Sequence, residues 1–175
     1  MTPIVRVMQN DKALILKALD MGANGVVIPH VSSKDDAERA VEAAKYGPHG
    51  RGACPLIRAN GYGLWDWPEH EDRSNRENMV IALIEDRTGV ENIEEIVSVD
   101  GIDIIYVGPF DMSVSEGYKG NSGHPEILKA LDRVFAACTA KRIPAMHSLF
   151  NGRDVKTWAD KGVRLFVQSA DSVIF

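Results

Sequence analysis

The stretches VIALIEDRTG, residues 80–89, and IIYVGPFDMS, residues 104–113, decide the fold. Each opens as an unbroken apolar run and each is followed by an acid: Glu85 directly after Ile84, and Asp111 shortly after the break at Gly108-Pro109. Apolar runs without alternation describe strands buried on both faces, as in a parallel sheet covered by helices. The carboxyl ends of such strands gather on one rim, where active sites form.

Working outward, strands and helices alternate along the whole chain. Strands are expected at Ile4–Val7, Gly25–Pro29, Met79–Ile84, Asp103–Val107, Ile143–His147 and Val163–Gln168. Helices are expected at Asp11–Met21, about 34–46, Val90–Val99, His124–Lys141 and Arg153–Lys161, with Ser32 or Ser33 capping the second. Repeated β-α units leave two architectures, a doubly wound open sheet or a (β/α) barrel. No Gly-x-Gly-x-x-Gly or Walker-type loop follows a strand, which removes the best positive sign of a nucleotide-binding sheet. Residues 47–78, rich in glycine and containing Trp65 and Trp67, read as a long ordered loop folded over the rest.

Composition fits one α/β domain over residues 1–175: 45% hydrophobic and 26% charged residues are ordinary values for a globular chain. The net charge of −5 argues against a nucleic-acid partner. No apolar run is long enough to span a membrane and the N-terminus does not read as a signal peptide, so a cytoplasmic location is expected. Cys54 and Cys138 lack metal-site spacing and read as free thiols.

Glu85 and Asp111 follow sequential strands, so their carboxylates are expected to converge. Two hard oxygen ligands side by side invite a Mg²⁺- or Mn²⁺-type cation with positions left for water and substrate. The bland reading makes each a helix-start acid favoured by the macrodipole. Arg6, charged inside the apolar strand IVRV, needs a partner and suits an anionic or carbonyl oxygen. His30 and His147 read as rim or core histidines, and His49, His70 and His124 as surface or loop residues.

The motifs VRV, ALDMGANGVVIPHVSS, AVEAAKYGPHGRG, ALIEDRTGVENIEEI, DGIDIIYVGPFDMSVSEGYKGNSGHPEI and GVRLFVQSADSVIF together resemble the HpcH/HpaI aldolases, metal-dependent class II pyruvate aldolases of the citrate lyase beta-like superfamily. The resemblance implies a (β/α)₈ TIM-barrel fold, here incomplete and corresponding to barrel strands 3 to 8. A complete barrel of this class runs to roughly 250 residues. It implies a carbon–carbon lyase that cleaves a 4-hydroxy-2-oxo acid to pyruvate and an aldehyde through an enolate stabilised by Mg²⁺, Mn²⁺ or Co²⁺. It also implies a homo-oligomer, trimer or hexamer.

By motif, Glu85 and Asp111 match the metal ligands, and Arg6 the arginine on the oxo-acid carbonyl. The backbone from Gly108 through Pro109 and Phe110 to Asp111 matches the carboxylate cradle. Asp20 matches the aspartate of a His–Asp acid/base dyad, whose histidine lies upstream of the arginine strand in the family. Leu83 stands where the family often has glutamine. The alternatives are a citrate-synthase-like or citrate-lyase-like enzyme and a non-catalytic barrel fragment acting as a scaffold.

Overall fold

A computed structural model describes residues 1–149 and 154–168. Six strands form one sheet in the order β1-β2-β3-β4-β5-β6, and every adjacent pair is parallel. They are β1 (Ile4–Arg6), β2 (Gly25–Ile28), β3 (Met79–Ile84), β4 (Ile104–Val107), β5 (Ala145–Leu149) and β6 (Val163–Gln168). A doubly wound sheet reverses its order at a switch point. This sheet never reverses, so it curls as a barrel wall does. Among the described residues it does not close: β1 and β6 pair with one neighbour each. Ile4 and Val5 on β1 and Leu165 and Val167 on β6 are exposed. The incomplete TIM-type barrel is the fold that the sequence predicted.

Helices α1 (Lys12–Asp20), α2 (Lys34–Ala44), α3 (Trp67–Glu77), α4 (Arg87–Glu91), α5 (Ile93–Ile96), α6 (Pro109–Ser115), α7 (Pro125–Lys141) and α8 (Val155–Asp160) are joined by one 3-10 segment among the described elements. Several of their starts are capped by side chains. Asp11 accepts the N–H groups of Ala13 and Leu14, Ser33 that of Asp36, Asp66 that of Glu69, and Asp86 that of Gly89. Each satisfies donors that the first helical turn leaves free.

Alternate strand residues face two different cores. Val26, Ile28, Val80, Ala82, Ile84, Ile105, Val107 and Ala145 pack outward with the helices. Val27, Ile81, Leu83, Ile104 and Met146 form a smaller inner cluster, with Met79 and Tyr106 against it. Burying a side chain such as Ile84 or Ile105 completely contributes about 2 kcal/mol.

Three expectations are corrected. Residues 47–78 are not one long loop: a 3-10 segment, Arg58–Gly63, and α3 lie within it. The helix expected at Val90–Val99 is two short ones, α4 and α5, broken at Asn92. The fifth strand begins at Ala145 rather than Ile143, after Pro144, which has no N–H for a ladder and whose carbonyl accepts from Ile105. The start of the last expected helix, at Arg153, and the end of the final motif, from Ser169 onward, lie outside the described residues.

Candidate active site

Glu85 is set at the rim by the end of β3 and is only 3% exposed. Its Oε1 accepts the backbone N–H of His30 at 3.1 Å, and Nδ1 of the His30 ring lies 3.1 Å from the same oxygen. His30 adopts φ +52°, a left-handed conformation that costs a non-glycine residue about 1 kcal/mol or more. Next to it, Ser32 Oγ donates to Asp86 Oδ2 at 2.6 Å, and Val31 N–H to the Leu83 carbonyl at 3.2 Å. The β2 exit is thus fastened to the β3 exit at three points, and Glu85 is held between them.

The other oxygen of Glu85 faces β4. A Cβ placed on Gly108 would lie 3.0 Å from Glu85 Cβ and 3.4 Å from Oε2. Glycine keeps that approach open. Pro109 then starts α6, whose missing N–H is no loss in a first turn, and Asp111 stands in that turn with its carboxylate exposed.

Arg6, Glu85, Asp111 and the Gly108-Pro109-Phe110 backbone line one cleft of about 130 Å³, together with Leu83, Tyr106 and Ser148. The structure therefore brings the four predicted groups of the rim together. It does not bring Asp20 to them. Asp20 ends α1, and a crossover helix runs antiparallel to its strands, so its last turn sits at the amino ends of the strands. There Asp20 Oδ1 accepts two hydrogen bonds from the Arg51 guanidinium, which is itself only 3% exposed. Arg51 also reaches Ser74 Oγ at 3.4 Å and lies 4.6 Å from the Tyr46 ring centroid.

That end of the molecule holds a larger hollow, about 390 Å³, lined by Gly22, Arg58, Trp65, His70, Arg73 and Asn78 among others. It has no pair of carboxylates in its lining and lies away from the strand carboxyl ends, so the smaller cleft is the candidate active site. His70, expected on the surface, is 4% exposed, packed between Tyr46 and Trp67. Burial and the nearby Arg73 and Arg51 push its pKa down. His147 is buried on the outer side of β5 against Phe135 and Trp158, and burial lowers its pKa to about 4.

Sequence reasoning missed His30 as the partner of Glu85, and Tyr106 and Ser148 as cleft residues. A signal for Tyr106 was present: counting back by two from Gly108 puts it on the same strand face. None existed for His30, whose N–H is aimed by an unusual backbone angle.

Does the site fit a cation? A buried carboxylate needs compensation. Among the described residues no lysine or arginine pairs with Glu85. No group of three or more His, Cys, Asp or Glu side chains forms a metal cage among them either. Two carboxylates beside an open cleft fit a Mg²⁺-like ion that keeps water and substrate ligands, not a closed zinc cage.

An open parallel β/α barrel with an acidic cleft at its carboxyl rim is the class that fold and site define. The chain matches the family model described as HpcH/HpaI aldolase/citrate lyase over residues 1–173, and it belongs to that family. It is 33% identical over 174 residues to the 5-keto-4-deoxy-D-glucarate aldolase of Escherichia fergusonii, covering 99% of this chain and 67% of that protein. Among solved structures it is similar to an HpcH/HpaI aldolase/citrate lyase family protein from Burkholderia cenocepacia J2315, with TM-score 0.92, 30% identity, and 98% and 68% of the two chains covered. It is also similar to the citrate synthase SbnG, with TM-score 0.86, 30% identity, and 99% and 67% covered.

Proposed function

We propose that the cleft catalyses retro-aldol cleavage of a 4-hydroxy-2-oxo acid to pyruvate and an aldehyde, with a divalent cation held by Glu85 and Asp111. The observation that carries this reading is the meeting of both acids and Arg6 in one cleft at the strand carboxyl ends. The likeness to an aldolase acting on a keto-deoxy sugar acid supports it. When bound, the cation would supply Lewis-acid polarisation of the 2-oxo group.

The chain's own groups bind and orient the substrate and stabilise the developing charge, while water in the open cleft takes the proton from the 4-hydroxyl as the C3–C4 bond breaks and returns it to the third carbon of the enolate. Arg6 offers its guanidinium to the oxygen that gains negative charge as the C3–C4 bond breaks, an interaction stronger in the transition state than in the ground state. The N–H groups of Phe110 and Asp111 are donors for the substrate carboxylate; Pro109 has none to give. His30 and Gly108 hold Glu85 in place from two sides.

The test follows methyl-proton exchange of pyruvate in D₂O by NMR with Mn²⁺, with and without EDTA. Exchange that needs metal and is lost in Glu85→Gln is expected. Undiminished exchange in that variant would sink the metal assignment. A second reading keeps the enolate and changes the electrophile, and the similarity to a citrate synthase favours it. Condensation of the enolate with a second oxo acid, with no aldehyde cleavage, would establish it instead.

A further inference from the structure

The larger hollow, about 390 Å³, lies where the strands begin: Pro3, Asn24 and Asn78, the residues before β1, β2 and β3, all border it. Its volume suits a small molecule. One wall is a single face of α3, where His70, Arg73, Ser74 and Glu77 follow helical spacing; Arg58 and Trp65 join it from the segment before that helix. Neither Arg58 nor Arg73 has a carboxylate partner among the described residues, whereas Arg39, Arg51, Arg87 and Arg133 each do. Arg58 donates from Nη1 to the Met21 carbonyl at 2.7 Å, which leaves its other donors free. The Arg73 guanidinium carbon lies 4.7 Å from the Trp65 ring centroid. The one acid in the lining, Glu77, is 3.7 Å from Arg76, and Asp66 and Glu69 border an adjoining hollow instead. The wall residue His70 reports the resulting field: its Nδ1 is buried without a partner, and burial, Arg73 and Arg51 together hold its pKa down. Water meets the guanidinium N–H groups but leaves their charge unbalanced. A planar guanidinium fork answers a carboxylate or phosphate with two parallel bonds.

We propose that this hollow is a second binding site, which takes a small dianion, a dicarboxylate or a phosphate ester, between Arg58 and Arg73. It shares no lining residue with the cleft of Glu85 and Asp111, so it stands independently of the reading of that cleft. Two guanidiniums match two negative charges, and Glu77 disfavours a third.

Calorimetry on the full chain, in low salt with EDTA, measures affinity for inorganic phosphate and for malonate in wild type, Arg58→Gln, Arg73→Gln and Arg6→Gln. Wild type is expected to bind at least one of the two. Arg58→Gln and Arg73→Gln should each weaken that binding about tenfold or more, while Arg6→Gln leaves it unchanged. Binding of phosphate alone would make the ligand a phosphate ester, and of malonate alone a dicarboxylate. No binding of either below about 10 mM would overturn the site. So would loss in Arg6→Gln with the other two variants unaffected, which would put the anion in the cleft. Sedimentation that changes in Arg58→Gln or Arg73→Gln with anion affinity unaltered would give these arginines to a second copy of the chain, and overturn it too. Wild type alone supplies a further check. The charged groups acting on His70 are Arg73, Arg51 and Asp20, so a dianion beside Arg73 raises the His70 pKa, read from its imidazole proton shifts by NMR. A His70 titration unmoved at saturating anion would place the ligand elsewhere. None of these failures touches the reading of the cleft.

Discussion

One oxygen of Glu85 meets His30 twice, taking its backbone N–H at 3.1 Å and lying 3.1 Å from its ring Nδ1, while the other oxygen looks across to Gly108. The carboxylate is oriented from the β2 side and given room from the β4 side. Glu85→Gln keeps an oxygen for the His30 N–H but removes the charge. It is expected to weaken Mn²⁺ binding by at least the 10- to 100-fold typical of losing an outer partner of a ligand. Electron spin resonance of free Mn²⁺ measures this, and affinity equal to wild type would remove Glu85 as a ligand.

Gly108→Ala tests the other side. The backbone there has φ −107°, which alanine adopts, so strain is absent and only the contact at 3.0–3.4 Å matters. We expect stability to fall by about 2 kcal/mol or less. Metal and oxo-acid binding should fall far more. Full binding with full stability would show that the close approach is incidental.

His147 gives a pH dependence. Burial holds its pKa at about 4 against an ordinary 6.5. Between those values the unfolded chain binds the proton and the folded chain does not. Stability is therefore intact above pH 6.5 and declines as pH falls toward 4, by on the order of 3 kcal/mol at most. His70, lowered in the same direction, adds to the trend. His147→Leu should flatten part of the slope in urea unfolding between those pH values. An unchanged slope would mean that His147 takes up its proton in the folded state.

Arg51→Met leaves Asp20 without its cation at the amino end of the sheet. Removing one member of a largely buried pair costs about 3 kcal/mol or more. Denaturant unfolding should show a loss of that order, while oxo-acid binding at the far rim changes little. A loss below about 1 kcal/mol would reduce the pair to an ordinary surface contact.

The two cysteines should differ sharply. Cys54 is exposed, whereas Cys138 is buried on α7 and desolvation pushes its thiol up to about 12. A disulfide reagent should titrate one thiol in the folded chain and the second only on unfolding. Cys54→Ser should remove the first. Prompt reaction of both would contradict the packing of α7.

A parallel β/α fold was legible because β3 and β4 are continuous apolar runs, and an acid after each sits on a shared rim in any such fold; the barrel rather than the open sheet came from the family resemblance. Glu85, Asp111 and Arg6 could be placed together from that rule alone. Residues 47–78 were harder. Glycines and tryptophans masked α3, whose helical face is fixed by His70 and Ser74 turning inward, not by an apolar stripe. Asp20 was assigned by motif, but in this chain its direction is set by where α1 ends and by the reach of Arg51.

Apolar periodicity, cap residues and the positions of acids in the chain determined the β-α repeat, the parallel sheet and the acidic rim, because these depend on local pattern and chain direction. Only the tertiary structure decided which atoms meet. The His30 N–H on Glu85, the Tyr106–Ser148 bond across two strands and the burial of His70 and His147 join residues 24 to 55 positions apart or pack them beneath distant helices. Such contacts are set by strand register, sheet curl and one left-handed backbone angle, none of which short-range sequence pattern encodes.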